Sequence, residues 1–227
     1  MVLSFFKGGS SESDFEHIVS RSITMLGDAR HSFDLATMAL LTDADASAVE
    51  KDVRDTDHRI NLAEQELRSE LVVHVSVRGV ADIGSVLGFM IVLKKIERIG
   101  DQAKNILELA VEGISLADRP NAEQMLAERT ELSALFGEAA TLLADSAGDE
   151  AAIAEFTDRA GAILDTCQEV IQGSMSSEEP AHEVVPVAFY YRYLRRILAN
   201  LIGVVRSSID PLPQVDYLEG GQVDVDD

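Results

Sequence analysis

The sequence predicts an all-α protein made of two tandem three-helix bundles. Apolar residues recur at alternating steps of three and four along most of the chain, which is the spacing of helices that pack against one another. Proline is scarce, with 5 in 227 residues, tryptophan is absent, and 46% of the residues are hydrophobic. Six periodic segments are separated by short breaks, and they divide into three helices followed by three more.

The first two helices are predicted from their N-terminal capping residues and from their seams. A seam is the line of apolar or small residues with which a helix faces the rest of a bundle. Serine hydroxyls between Ser10 and Ser13 offer an N-cap for a first helix that runs from about Ser13 to Leu41. A loop over residues 42–47 caps a second helix that runs to about His74. The seam of this second helix consists of Val53, Thr56, Ile60, Ala63 and Leu67.

The third helix, predicted from about Ala81 to Gly113 after a turn near Gly79, carries the most regular pattern in the chain. Its seam consists of Val86, Phe89, Leu93, Ile96, Gly100, Ala103, Leu107, Ala110 and Ile114. A second line of residues runs beside the seam, each one position after a seam residue. It consists of Glu97, Asp101, Lys104 and Glu108. Because helical residues four apart lie on the same face, the carboxylates of Glu97 and Asp101 are expected to point the same way, one turn apart.

Three further helices are predicted in the second half, over about residues 120–145, 150–172 and 182–208. Pro120 and Pro186 lie in first turns, where a missing backbone N–H is tolerated. Aligning Leu93–Ile99 with Tyr191–Ile197 places Arg98 on Arg196 and indicates an internal repeat. The predicted organisation is a flexible N-terminus at 1–12, a first repeat at 13–114, a degenerate second repeat at 120–208 and an acidic tail at 209–227.

The charge balance limits the possible partners. Acidic residues outnumber basic ones 40 to 19, for a net charge of -21, so the chain has no cationic surplus with which to neutralise nucleic-acid phosphates.

Cys167 is the single cysteine, which excludes a disulfide framework and a cysteine-based metal site. No apolar run reaches the roughly 18 residues of a membrane span, and the start is too short for a signal peptide. The expectation is a soluble, cytoplasmic chain.

The carboxylates of the second and third helices are expected to form one cluster. If the two helices fold back on each other about Gly79, Asp57 lies level with Asp101, and Asn61 lies level with Glu97. Three carboxylates and one amide on one patch are hard, oxygen-rich ligands, which suit Mg, Mn or Fe. This reasoning predicts a metal site at Glu97, Asp101, Asp57 and Asn61.

A simpler interpretation of the same residues is open. Lys94, Arg98 and Lys104 lie beside the carboxylates, and surface ion pairs of this kind need no metal and contribute little stability. Nothing in the sequence indicates catalysis, because no HExxH, GxSxG or glycine-rich phosphate loop occurs. The chain is therefore expected not to be an enzyme.

The second half departs from this acidic pattern. In the alignment of the halves, Glu97 and Asp101 correspond to Arg195 and Ala199, so any metal site is confined to the first repeat. In place of the acids stands a cationic and aromatic run from Tyr190 to Arg196. Two interpretations remain open: its arginines pair with nearby carboxylates, or they form a partner-binding patch, consisting of Arg192, Arg195 and Arg196.

Two segments carry a resemblance to a known family. ERIGDQAKNI, from Glu97 to Ile106, resembles the signature helix of the PhoU family, in which a Glu/Asp-x-x-x-Asp motif lies within ERIGDxAxNI. The segment Asp57–Glu64 resembles that family's second-helix pattern, D-x-x-I-N-x-L-E, with Ala63 in place of the leucine. The chain departs from the family where Asp82-Ile-Gly replaces Asp-Leu-Arg, and where Lys95 replaces an acidic residue.

The resemblance implies two three-helix repeats and a non-enzymatic regulator of phosphate uptake. Such a regulator is an adaptor between a phosphate transporter ATPase and a sensor histidine kinase, and it reaches the membrane only through its partners. The resemblance also implies metal binding at the acidic motif, with Fe, Mn, Mg or Zn as the candidates, and a homo-oligomer is expected. The alternative is an accessory protein of a low-affinity phosphate permease, or a plain helical interaction domain without metal.

Overall fold

A computed structural model describes residues 12–42, 44–79, 83–145 and 149–207. Within these ranges the chain forms helices and no strands, which confirms the all-α prediction. The helices are α1 (Glu12–Leu41), α2 (Ala46–Arg78), α3 (Ile83–Val111), α4 (Ala122–Ala144), α5 (Glu150–Met175) and α6 (Ala181–Arg206). The predictions for residues 1–11, for the tail at 209–227 and for the departure at Asp82 lie outside the described residues. The repeat boundaries stay predictions.

The helix ends follow local capping chemistry. The Asp45 carboxylate accepts a hydrogen bond from the backbone N–H of Ser47 at the start of α2, and Asp149 accepts one from Ala152 at the start of α5. The prediction that the second helix stops near His74 was wrong by one turn. The helix continues to Gly79, which has a φ of 87° and donates its N–H to the carbonyl of Val75, because glycine adopts this backbone conformation without steric cost.

The first three helices form one bundle around the predicted seam of α3. The seam residues from Val86 to Ala110 are buried, as the period of three and four requires. Gly100 lies directly against α2, because a Cβ atom at this position would lie 3.0 Å from Cδ1 of Ile60. A small residue at the seam therefore lets α2 and α3 come close together.

The second three helices, α4 to α6, pack on one another and share a core with the first bundle. Across the junction, the rings of Phe33 on α1 and Phe136 on α4 lie 5.6 Å apart, and Arg129 of α4 donates to the carboxylate of Asp34 at 2.8 Å. The buried residues form one continuous cluster that includes members of all six described helices. No described helix combines the length and the apolar composition needed to cross a bilayer.

The third helix buries a second face as well, and this face meets α6. Its buried members include Lys95, Ile99, Gln102 and Ile106. Lys95 lies directly against Gly203 of α6, where a Cβ atom would come within 2.7 Å of the lysine Nζ. Lys95 and Gly203 therefore fit together as a long side chain over a bare backbone, which places α3 between its own bundle and α6.

Candidate functional site

The close contact between α2 and α3 brings two of the predicted site residues together. Lys104 on α3 places its Nζ atom 3.0 Å from Oδ2 of Asp57 on α2 and 3.4 Å from Oδ1 of Asp101 on its own helix. Asp57 and Asp101 thus lie at the same level of the helix pair, in agreement with the antiparallel alignment about Gly79. Their shared neighbour is a lysine ammonium, and we call these three side chains the Lys104 clasp.

The other two predicted site residues flank the clasp. Asn61 lies one turn along α2, with its amide nitrogen 3.5 Å from the Asp57 carboxylate. Glu97 lies one turn before Asp101 on α3 and forms an ion pair with Lys94, at 2.7 Å between Oε2 and Nζ. That oxygen is buried and the ion pair lacks hydrogen-bond geometry. Each of the three carboxylates therefore has a lysine as its counter-ion.

The electrostatics of the clasp keep Lys104 charged. Partial burial acts to lower the pKa of its ammonium group, but the hydrogen bonds and the charges of Asp57 and Asp101 outweigh burial and raise the pKa above its usual range. An ammonium ion held between two carboxylates removes the repulsion that the bare pair would experience. The clasp therefore performs the charge compensation that a metal ion would otherwise supply.

The arrangement as it stands does not fit a metal ion. Among the residues that the structure describes, no three histidine, cysteine, aspartate or glutamate side chains come close enough together to hold one. The space between Asp57 and Asp101 is taken by the ammonium of Lys104. The metal site at Glu97, Asp101, Asp57 and Asn61 stays a prediction, and it requires the flexible stem of Lys104 to swing away.

The structure separates the arginines of the predicted partner-binding patch. Arg195 turns toward α5, where its charge acts on the thiol of Cys167, and its buried Nε has no hydrogen-bond partner among the described residues. Burial raises the pKa of that thiol to about 12. Arg192 is exposed, and Arg196 is half-buried like Arg195. The predicted patch therefore has one exposed member, Arg192, and two half-buried members, Arg195 and Arg196.

A stacked aromatic pair, in which Phe189 is exposed and Tyr193 is half-buried, was not anticipated from the sequence. Phe189 and Tyr193 lie one turn apart on α6 with their rings stacked, 6.0 Å between centroids and 15° between planes. The spacing of four residues is a signal that could have revealed the contact. The pattern of the sequence alone could not show that the stack remains at the surface, with the Phe189 side chain on the same face as Arg192.

The family comparison decides what kind of domain carries the acidic residues. Residues 23–110 match the family model of the PhoU domain. The chain contains a PhoU domain. This result confirms the resemblance inferred from the segment Glu97–Ile106. The match spans α1 to α3, so the PhoU domain includes the Lys104 clasp, Asn61 and Glu97, whereas α6 and its arginines lie outside the matched residues.

Solved structures show the same fold over most of the chain. The PhoU of Pseudomonas aeruginosa is similar with a TM-score of 0.71 and 21% identity, covering 87% of this chain and 96% of that one. The phosphate transport system regulatory protein PhoU of Streptococcus pneumoniae is similar with a TM-score of 0.59 and 16% identity, covering 89% and 95%. A search of curated protein sequences gives no significant match. At these identities the structural likeness establishes the fold, which extends beyond the PhoU domain into α4 to α6.

Proposed function

We propose that this protein is a non-enzymatic regulator of phosphate uptake. The observation that carries the proposal is the PhoU domain at residues 23–110. The fold shared with PhoU of P. aeruginosa and with the regulatory protein of S. pneumoniae supports it, because the second of these belongs to a phosphate transport system. The protein acts by binding other proteins and changing their activity.

The proposed partners are a phosphate transporter ATPase and a sensor histidine kinase. The protein works in the cytoplasm as a homo-oligomer and reaches the membrane through these partners. The alternative partner is a low-affinity phosphate permease, for which this chain would be an accessory protein. Co-purification distinguishes the two, because the first version predicts capture of the ATPase or the kinase and the second predicts capture of the permease.

We propose further that the regulator works without a resident metal. The support is the geometry of the acidic residues: Lys104 compensates Asp57 and Asp101, and Lys94 compensates Glu97. The competing version places Fe, Mn, Mg or Zn between Asp57 and Asp101, with Asn61 as a neutral ligand and water completing the shell. That version requires the cation to displace the ammonium of Lys104.

The proposed function is tested by deleting the gene and measuring uptake of radiolabelled phosphate in cells grown at low and high phosphate. In wild-type cells uptake responds to external phosphate, and in the deletion strain we expect this response to disappear. A plasmid copy of the gene must restore it. If the deletion strain keeps a normal response, and no phosphate-transport protein co-purifies with the tagged chain, the proposal is wrong.

A further inference from the structure

Three of the four described arginines for which no ion pair or other partner is found lie on α6, and the fourth lies on α3. Every other lysine or arginine side chain that the structure describes has an interaction partner, although the chain is strongly acidic overall. The arginines without an ion pair in the described ranges are Arg98, Arg192, Arg195 and Arg196. With a large surplus of carboxylates available, arginines on one helix that lack an ion pair among the described residues indicate that an external group can pair with them.

Two of these arginines, one exposed and one half-buried, lie beside partly exposed apolar surface. Arg192 and Arg196 are one turn apart on α6, about 6 Å along its axis. The stacked rings of Phe189 and Tyr193 lie next to them, and 43% of Phe189 and 45% of Val185 remain exposed. We call this surface, consisting of Val185, Phe189, Arg192, Tyr193 and Arg196, the α6 stripe. Aromatic residues and arginines are the side chains that most often anchor protein interfaces.

The chemistry of the α6 stripe excludes several kinds of occupant. Nucleic acid and an anionic bilayer both require a larger group of cations than the two arginines of the stripe supply. A free inorganic anion would use the two arginines but would leave the apolar surface of Phe189 and Val185 uncovered. A second copy of this chain presents the same cationic stripe, so a symmetric contact would set arginines against arginines.

We infer that the α6 stripe docks an acidic amphipathic segment of a partner protein, with carboxylates spaced one helical turn apart and an apolar side chain beside them. The carboxylates pair bidentately with Arg192 and Arg196, because the guanidinium fork matches a carboxylate. The apolar side chain packs on Phe189. This inference depends on the proposed function only for the identity of the partner, since the complementarity belongs to the stripe itself.

The test uses a fluorescein-labelled synthetic helix that carries glutamates four residues apart beside a row of leucines. A matched peptide has lysine in place of every glutamate. Binding to the full-length protein is followed by fluorescence anisotropy. We expect the acidic peptide to bind, the basic peptide not to compete for the stripe, and the double variant Arg192→Glu/Arg196→Glu to weaken binding of the acidic peptide about tenfold or more.

The control variant, Lys51→Glu/Arg54→Glu, makes the same change in net charge on the exposed face of α2. It should leave binding of the acidic peptide within about twofold. Phe189→Ala should weaken binding without changing net charge, and the basic peptide should bind Arg192→Glu/Arg196→Glu more tightly than wild type. Far-UV circular dichroism checks that each variant folds.

Two outcomes overturn the inference. One is that the acidic peptide fails to bind, or that it binds the stripe variant as tightly as the control variant. The other is that inorganic phosphate alone displaces the acidic peptide completely and Phe189→Ala has no effect, because the stripe is then a plain anion site. Neither outcome changes the result of the phosphate-uptake experiment. A failure of the docking surface is therefore distinguishable from a failure of the proposed function.

Discussion

Replacing Lys104 by methionine should destabilise the protein, because it leaves Asp57 and Asp101 facing each other without their shared cation. The methionine keeps most of the apolar stem, so the change isolates the charge. Lys104 bonds Asp57 at 3.0 Å and Asp101 at 3.4 Å, and the Asp57 side chain is 16% exposed. A hydrogen bond to a charged group contributes about 1.5–3 kcal/mol, and solvent screening at the more exposed Asp101 reduces this. We expect a loss of about 1–2 kcal/mol in the free energy of unfolding.

The assay is urea unfolding followed by far-UV circular dichroism at pH 7 in the presence of a chelator. The matched control is Lys51→Met, which removes an exposed lysine from its ion pair with Asp55 and should leave the urea midpoint nearly unchanged, because solvent screens an exposed ion pair. The clasp is not a stabilising interaction if Lys104→Met and Lys51→Met unfold at the same urea concentration.

Alkaline pH gives an independent measure of the same interaction. The folded-state pKa of Lys104 is raised above its usual 10.5, so the stability that it contributes is fully present below the unfolded-state pKa. This contribution is lost as the pH rises through the folded-state pKa. As the pH rises above about 10.5, the stability of wild type should therefore fall more steeply than that of Lys104→Met.

Added metal ions decide between the two versions of the acidic site. A ligand that binds the folded state stabilises it by RT ln(1 + [L]/Kd). If Lys104 takes the place of a cation, Mn²⁺ should stabilise Lys104→Met more than wild type, and Lys104→Met with Asp101→Ala should lose the gain. Equal stabilisation of wild type and Lys104→Met would refute the argument that the lysine competes with a metal.

Three further predictions concern the packing. The buried thiol of Cys167, with its pKa raised to about 12, should react with Ellman's reagent at pH 8 only after the protein unfolds, and fast reaction of native protein would contradict its burial. Gly100→Leu should cost about 1–3 kcal/mol in thermal unfolding, because a Cβ atom there already meets Ile60 at 3.0 Å, whereas Gly161→Leu has open space. Tyr191→Phe should cost about 1 kcal/mol in urea unfolding by removing the 2.9 Å hydrogen bond to Glu128, and an unchanged midpoint would show that this bond is not stabilising.

The helices and their seams could be predicted because they depend on local pattern. The seam of α3 from Val86 to Ala110 is buried as its spacing predicts. Asp57 and Asp101 lie at the same height because α2 and α3 are antiparallel and are joined near Gly79. Helix ends were less predictable. The second helix was expected to stop near His74, before a turn near Gly79, whereas it runs to Arg78 and Gly79 caps it directly.

The second buried face of α3 could not be predicted from periodicity. An apolar line shows that a face is buried, but a line containing Lys95 and Gln102 looks solvent-exposed in the sequence. These side chains are buried because α6, about one hundred residues later, brings Gly203 against Lys95. The contact depends on a bare backbone at one position of a distant helix, and no local pattern encodes it.

The sequence by itself determined the all-α class, the α2 and α3 pair and the presence of acidic residues on one patch, because these follow from periods of three and four and from a tight turn. Only the tertiary structure decided what those residues contact. Lys104 reaches Asp57 across 47 positions of sequence, and Arg192 is exposed whereas Arg195, three positions later, is half-buried. The physical reason is that long charged side chains have many rotamers, and the partner that selects one of them comes from another helix.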